Sequence, residues 1–533
     1  MNSEPDKSGG DPNASPDNSP RENQSGDAIH RLHPAAMLIG ALKTIRRWVG
    51  ALVIPSIAFL ASQGFSVQTI VLVFTGMAVV AALAAVWGFL AWRATTYEVS
   101  GGAFHLRQGV IQKSERTIPL DHVQSVDTVQ GIIQRVFGVV EVRVETAGGG
   151  TDEPDASLSA LGRGAAAALR REIEGSRRGS SPATEEGMSG PVVVRRLATR
   201  DLLIAGATSG QIGVALSLVA VISQVFDDLL SEEFVERVVT SFTPHSITAL
   251  LLLVAAAGLF AWLLAIGGTV LAHAGFTLSR DGDYLYIRRG LLERREATIP
   301  LSRIQAVRVV EGFLRQPFGL ATLRVESAGY GENAGVSTIL FPLLPRRKVD
   351  GFLRAAVPEF AGEPLLKHLP RRALRRYVFR AVLATIPLVA VVSFIAVFGV
   401  YAGFTVPGCG AARCGAEDIA PLALEVPAVL SLAVLLVLAS LYGWLQYRDA
   451  GWAISEDRLV ARSRLLARTT TVAPRRRLQS RSVVSSPFQR RLRLATLQAR
   501  VASGGGGAEV RIVDLDALAA GQLADSLGPG TAS

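Results

Sequence analysis

The sequence predicts an α+β membrane protein in which three transmembrane helical hairpins, six spans in all, alternate with three small β-rich modules, each closed by a helix. Three observations predict it: paired uncharged apolar runs, a lopsided distribution of Lys and Arg around them, and an internal repeat in the segments between them. Of the 533 residues 49 % are hydrophobic, more than a soluble globular chain usually carries.

Residues 1–29 are rich in Ser, Pro, Asn, Asp and Gly and hold almost no large apolar side chains, so they cannot bury enough surface to offset chain entropy. A disordered cytoplasmic tail is expected over 1–40, and with no signal peptide opening the chain it is expected to be retained. Uncharged apolar runs follow at 48–62, 69–92, 202–226, 247–272, 381–405 and 422–445. At about 1.5 Å rise per residue and a hydrocarbon core of about 30 Å, roughly 20 apolar residues span a bilayer. The first run is the weakest, being short and carrying Pro55. Buried helices of a soluble core would keep a polar stripe, and these runs do not.

Loops inside the hairpins are poor in basic residues. Segment 63–68 has none, 227–246 has only Arg237 among five carboxylates, and 406–421 has only Arg413. The opposite flanks carry Lys43, Arg46, Arg47, Arg93, Arg195, Arg196, Arg200, Arg371, Arg372, Arg375, Arg376 and Arg448. Positive flanks are retained inside, so both termini and the β-rich modules are expected in the cytoplasm. The net charge of +10 then has the anionic leaflet as its counter-charge, and nucleic acid is not expected as a partner. Cys409 and Cys414 fall in the third outer loop, where either a local disulfide or two free thiols is compatible with the compartment.

Residues 109–148 align without a gap on 290–329 at an offset of 181, with 17 of 40 positions identical. Shared elements include Gly109/Gly290, Thr117-Ile118-Pro119-Leu120 with Thr298-Ile299-Pro300-Leu301, Gln124/Gln305, Phe137-Gly138 with Phe318-Gly319, and Arg143-Val144-Glu145 with Arg324-Val325-Glu326. A third copy lies 174 further on, pairing Pro300 with Pro474, Gln305 with Gln479 and Leu320–Leu323 with Leu494–Leu497, but it holds Leu492-Arg493 in place of Phe-Gly. An aromatic-x-aliphatic-Ser tetrad opens each copy, at Tyr97, Phe276 and Trp452, and its offsets place a two-residue insertion at Arg280-Asp281-Gly282-Asp283. Within a copy, Val140, Val142 and Val144 alternate with Glu141, Arg143 and Glu145, the period of half-buried antiparallel strands. Apolar-patterned segments at 157–174, 346–357 and 514–527 read as closing helices.

These residues resemble the bacterial pleckstrin-homology-like (PH-like) domain, and the layout of three hairpins and three modules is similar to that of the YdbT-like multi-pass membrane proteins. The likeness covers roughly residues 40–528 and rests on the Ile-Pro-Leu turn, the Gln and the Phe-Gly before a long strand. It implies PH-like split β-barrels, each a strongly bent seven-stranded sheet capped by a helix, and binding or scaffolding rather than catalysis. The resulting division is tail 1–40, hairpin 41–93, module 94–175, linker 176–200, hairpin 201–273, module 274–360, basic linker 361–377, hairpin 378–446 and module 447–528.

Sequence motifs for chemistry are scarce. Seven histidines are scattered, with no metal-ligand spacing, and two cysteines exclude a four-thiolate zinc site. Asp121-His122 aligns with Ser302-Arg303, so the module does not require it, and the Gly runs 148–150 and 504–507 lack the Lys-Ser/Thr of a phosphate loop. The spans carry ionisable groups only near their ends, at Arg380, Glu425 and His273, which argues against an ion pathway. Gly206-x-x-x-Gly210 fits a close helix approach or a merely Gly-rich stretch. Arg371, Arg372, Arg375 and Arg376 before the third hairpin, with Arg475, Arg476 and Arg477 in the third copy's turn, are the candidate contacts for acidic headgroups; snorkelling topology determinants are the alternative for the first group. The expectation is a bacterial plasma-membrane scaffold without enzymatic activity, cofactor or metal. It would present its modules to a membrane or cytoplasmic protein or to anionic lipid, with envelope integrity or stress as the family-level role. The alternative is a lipid-handling or substrate-moving protein gated by its modules.

Overall fold

The computed structural model describes residues 30–45, 66–146, 155–178, 191–209, 247–327, 339–362, 364–401, 421–455, 457–501 and 508–527. The tail before residue 30, the span at 48–62, most of the span at 202–226, Cys409, Cys414 and the Gly runs at 148–150 and 504–507 lie outside the described residues.

The first unit runs β1 (His30–Arg31), α1 (Ala35–Ile45), α2 (Val67–Arg93), β2 (Thr96–Ser100), β3 (Ala103–Gln108), β4 (Ser114–Pro119), β5 (Val123–Gln130), α3 (Ile132–Val136), β6 (Val139–Thr146), β7 (Ala156–Gly162) and α4 (Arg163–Arg178). The second comprises β8 (Val192–Arg196), α5 (Thr199–Ala207), α6 (Ile247–His273), β9 (Thr277–Asp281), β10 (Tyr284–Arg289), β11 (Arg294–Pro300), β12 (Ile304–Glu311), β13 (Leu320–Ser327), β14 (Ile339–Pro345) and α7 (Val349–Ala356). The third holds β15 (Lys367–His368), α8 (Arg371–Tyr401), α9 (Pro421–Asp449), β16 (Gly451–Ile454), β17 (Arg458–Arg464), β18 (Arg468–Pro474), β19 (Leu478–Val484), α10 (Pro487–Arg491), β20 (Leu494–Val501), β21 (Ala508–Asp516) and α11 (Ala517–Ser526).

Each unit therefore has seven antiparallel strands split four and three. The hydrogen-bonded sheets do not respect the units. The three-stranded half of the first joins the four-stranded half of the second in the order β7-β6-β5-β11-β10-β9-β8, and β14-β13-β12-β18-β17-β16-β15 repeats this between the second and third. The first strand of each unit, β1, β8 and β15, precedes the helices and pairs with the strand that follows them, clamping the base of the hairpin. Two of these strands fall where the sequence suggested linkers, and the basic stretch from Arg371 is already the first turns of α8. The segment 157–174, read as one helix, is β7 followed by α4: Leu158, Ala160 and Leu161 are buried as a strand facing the core.

The hairpin turns follow from local chemistry. Gly101 and Gly102, at φ 58° and 74°, form the two-residue turn between β2 and β3 that only a left-handed backbone closes. The two-residue insertion in the second unit shifts the register of β9 against β10 by two, so that Leu278 pairs with Ile287, and an even shift leaves every side chain on its own face. Before the long strand, Gly138 and Gly319 take φ 66° and 59°, and Arg493 takes φ 52° at the same place, so the third copy keeps the turn without the glycine. The expected alternation holds at Val142 and Val144, both fully buried. A bulge between Val140 and Val142 turns Glu141 inward instead, beneath Lys43 at 2.9 Å and Arg143 at 3.0 Å.

Among the described residues, two helices are long and apolar enough to cross a membrane, Val67–Arg93 and Ala255–His273; this is two rather than six. Helices α8 and α9 occupy the positions of the fifth and sixth runs. Helix pairs approach closely at glycines. A Cβ on Gly88 would lie 2.6 Å from the Met37 carbonyl oxygen, one on Gly443 2.7 Å from Val378 Cα, and one on Gly206 3.0 Å from Ile266 Cα. Gly88 and Gly443 are equivalent under the repeat. So are Trp92, whose Nε1 donates to the Leu32 carbonyl at 2.9 Å, and Tyr447, whose hydroxyl donates to the Leu369 carbonyl at 3.1 Å.

Candidate functional site: the module junctions and their apolar rim

The shared sheets make the junctions the sites where the chain brings distant residues together. In the first, β5 pairs with β11 through Gln130↔Arg294, Val129↔Arg295 and Thr128↔Glu296. In the second, β12 pairs with β18 through five residue pairs from Glu311↔Arg468 to Val307↔Val472. The first ladder stops early because Asp127 intervenes: its Oδ1 accepts from the Thr298 backbone N–H at 3.2 Å. Burial pushes this carboxyl up to about 7, against the opposing pull of that hydrogen bond and of Arg170 and Arg143. Burial, with Asp127 close by, likewise holds Glu145 up to about 8. The apolar cores also cross the boundary. Ala453, Val460 and Val472 of the third unit pack into the core of the second, and Ala306 of the second packs into that of the third.

Each junction carries a groove lined by equivalent positions. At the second, a cavity of about 860 Å³ is bounded by Glu311, Phe318, Arg346, Arg347, Arg462 and Arg468. At the first, about 280 Å³ is bounded by Gln130, Arg163, Arg170, Arg288, Arg294 and Glu296. Glu311, 4 % exposed, accepts from Arg468 at 3.3 Å and Arg346 at 3.5 Å. Arg468 and Arg464 also hold Asp449 at the end of α9, at 2.9 Å and 2.5 Å. Four arginines against one carboxylate leave the second groove positive, a field suited to a phosphate or carboxylate.

Beside the grooves lies an exposed apolar rim: Ile132, Val136, Leu291 and Leu292 at the first junction, and Phe313, Phe318, Leu465 and Leu466 at the second. Phe318 is 71 % and Leu465 73 % exposed. The rim is tied to the helix ends. The Leu291 N–H donates to the Leu271 carbonyl of α6 at 3.0 Å, and the Tyr442 hydroxyl of α9 donates to the Leu465 carbonyl at 2.8 Å. Apolar patches of this kind mark an interface with lipid or protein.

The arginines singled out in the sequence separate into two groups. Arg371 and Arg375 are exposed on α8. Arg372 instead pairs with Asp516, and Arg376 with the fully buried Asp514 at 2.9 Å, where Arg380 also reaches at 3.7 Å. Arg476 and Arg477 pair with Glu359 of the second unit at 2.9 Å and 2.7 Å, Arg477 also donates to the Ser302 carbonyl at 2.8 Å, and Arg475 donates to the Ser526 carbonyl. Arg372, Arg376, Arg476 and Arg477 thus stand in ion pairs within the chain, although the Arg476 side chain stays 72 % exposed. Carboxylates far away in sequence, invisible to local charge counting, claim them. Asp121 and His122 stand on an exposed loop, 3.9 Å apart. The junction residues were missed, although the repeat offsets, which map Gln130 onto Glu311 and Arg294 onto Arg468, held the signal. Among the described residues no cluster of His, Cys, Asp and Glu could hold a metal ion.

Small split β-barrels fused edge to edge, each carrying a helix pair and an apolar rim at its base, define a membrane-anchored array of PH-type modules. The chain belongs to the bacterial PH domain family, whose model matches residues 44–177, 195–356 and 383–530. It is similar to the UPF0699 transmembrane protein YdbT of Bacillus subtilis (strain 168), 30 % identical over 502 residues that cover 91 % of this chain and 95 % of that protein. The chain is thus a transmembrane protein with three bacterial PH domains. No solved structure matches it.

Proposed function

We propose that the protein is a non-enzymatic scaffold of the bacterial plasma membrane. Its helix pairs anchor it in the bilayer, both termini and all three modules lie in the cytoplasm, and the modules are presented as a row against the inner leaflet. The observation that carries this reading is the coincidence, at both junctions, of a basic groove and an exposed apolar rim bonded to helix ends. Leu291, Leu292, Leu465 and Leu466 sit in the headgroup region, and Arg347, Arg462, Arg371 and Arg375 meet the anionic phosphates there, each nearby cation contributing up to about 1 kcal/mol. A membrane or cytoplasmic protein segment is the second ligand class that the row is suited to present.

The test uses the full chain in nanodiscs of pure zwitterionic lipid or with one third phosphatidylglycerol. Hydrogen exchange in 290–294 and 464–468 is expected to slow with the anionic lipid, and R347E/R462E is expected to abolish the difference. Exchange that is fast and identical in both lipids would remove the headgroup claim. Labelling of a cysteine at Ser157 from outside intact cells would overturn the topology.

A further inference from the structure

We propose that two of the sheet edges, one in the first unit and one in the third, bind each other between copies of this chain, β19 of one protomer adding to β4 of the next. By repeat equivalence β4, β11 and β18 are the same strand, and so are β5, β12 and β19. Two of the three possible pairings of these strands are made within the chain, and they share a register: adding 181 to Gln130 and 174 to Arg294 gives Glu311 and Arg468, which are themselves partners. The hairpins that present the strands share a register too, with Val126↔Val144, Val307↔Val325 and Arg481↔Ala499 at equivalent positions.

Among the described residues β4 and β19 are the two sheet edges whose repeat equivalents, β11 and β18 or β5 and β12, are paired across a junction. Their exposure is that of an interface without its partner. Val309 is 3 % exposed inside the second junction, whereas its equivalent Val483 is 42 % exposed on β19. Ala297 and Thr298 are buried on β11, whereas Arg116 and Thr117 are exposed on β4. The flanking contacts are also waiting. Arg135 donates to the Leu291 carbonyl at 2.7 Å and its equivalent Gln316 donates to the Leu466 carbonyl at 3.4 Å; the third equivalent, Arg490, is exposed, and so is Ile111, the first unit's counterpart of Leu292 and Leu466.

The shared register sets the pairs between copies as Arg481↔Thr117, Ser482↔Arg116, Val483↔Glu115 and Val484↔Ser114. No like charges stand opposite each other, and a β-branched residue faces a polar one, as Val309 faces Thr470. The contact is heterologous, so it either closes into a ring or runs on. Closure, unlike the pairing, rests on the membrane reading above. Every step along the row must return its helix pair to the same bilayer, which leaves only rotation about the membrane normal with no rise.

The experiment uses the full chain in native membranes, with C409S and C414S removing the native thiols and E115C/V483C added. Treatment with a short bis-maleimide is expected to give covalent dimers and higher multiples. E115C and V483C expressed together on separately tagged chains should give the mixed dimer alone. Neither single variant is expected to crosslink efficiently. Monomers throughout, E115C joined to E115C, or adducts to a different protein would each overturn the proposal. Retention of the chain in carbonate-washed membranes, measured in parallel, tests the membrane reading separately.

Discussion

Asp514 offers the sharpest test of how the third helix pair is fastened to its module. Its carboxylate is 0 % exposed, stands 2.9 Å from Arg376 and 3.7 Å from Arg380 on α8, and accepts from Gln489 Nε2 at 2.8 Å. Removing one partner of a buried ion pair costs about 3–5 kcal/mol because the other charge stays buried. Solvent reaches 17 % of the Arg376 side chain and 40 % of Arg380, which places the loss near about 3 kcal/mol in D514N, where the Asn oxygen still accepts from Gln489. Asp514 also sits at φ 61°, which Asn tolerates and Ala does not, so D514A should cost about 1 kcal/mol more than D514N. At about 1.4 kcal/mol per tenfold, hydrogen exchange of the β20 and β21 amides in nanodiscs should speed up roughly a hundredfold in D514N. Adding R376M to D514N should recover part of the loss, since the uncompensated cation is then gone. Exchange within threefold of the parent in both D514N and D514A would refute the reasoning.

Two further outcomes follow from the same physics. Asp127, held up to about 7 by burial, keeps its proton in the folded chain while the unfolded chain has already lost it near pH 4. The stability of the first junction should therefore fall as pH rises from about 4 to 7 and level off above. D127N, which retains an acceptor for Thr298, should stabilise it at pH 8 by on the order of 2 kcal/mol and not at pH 4, with Glu145 keeping a share of the slope, as read by protease resistance across pH. G443V and G88V should each force a helix pair apart at a cost of about 1–3 kcal/mol and raise protease access to the adjoining module in vesicles, whereas G258V, with open space around it, should not.

The module repeat, the positions of the strands that follow the helices and the closing helices were legible in the sequence because period-two burial, turn glycines and apolar run length are local signals. The offsets even placed the insertion within Arg280–Asp283, whereas the left-handed turn that Arg493 keeps without a glycine shows only in the structure. The leading strands were not legible: His30–Arg31 and Lys367–His368 are two residues long and polar, and they become strands only because the base of a hairpin brings β2 and β16 alongside. Nor was the ownership of the arginines. Arg477 is one of three adjacent cations in the sequence, and its partner Glu359 lies 118 positions earlier.

By itself the sequence determined the unit, its number and its attachment to apolar helices, since each is written in a window of a few dozen residues. Only the tertiary structure decided that the units are not separate beads. An edge strand can add to any sheet of suitable register, and nothing local says which; the choice of β11 for β5 and of β18 for β12 comes from two preformed sheets meeting across a distance the sequence does not encode.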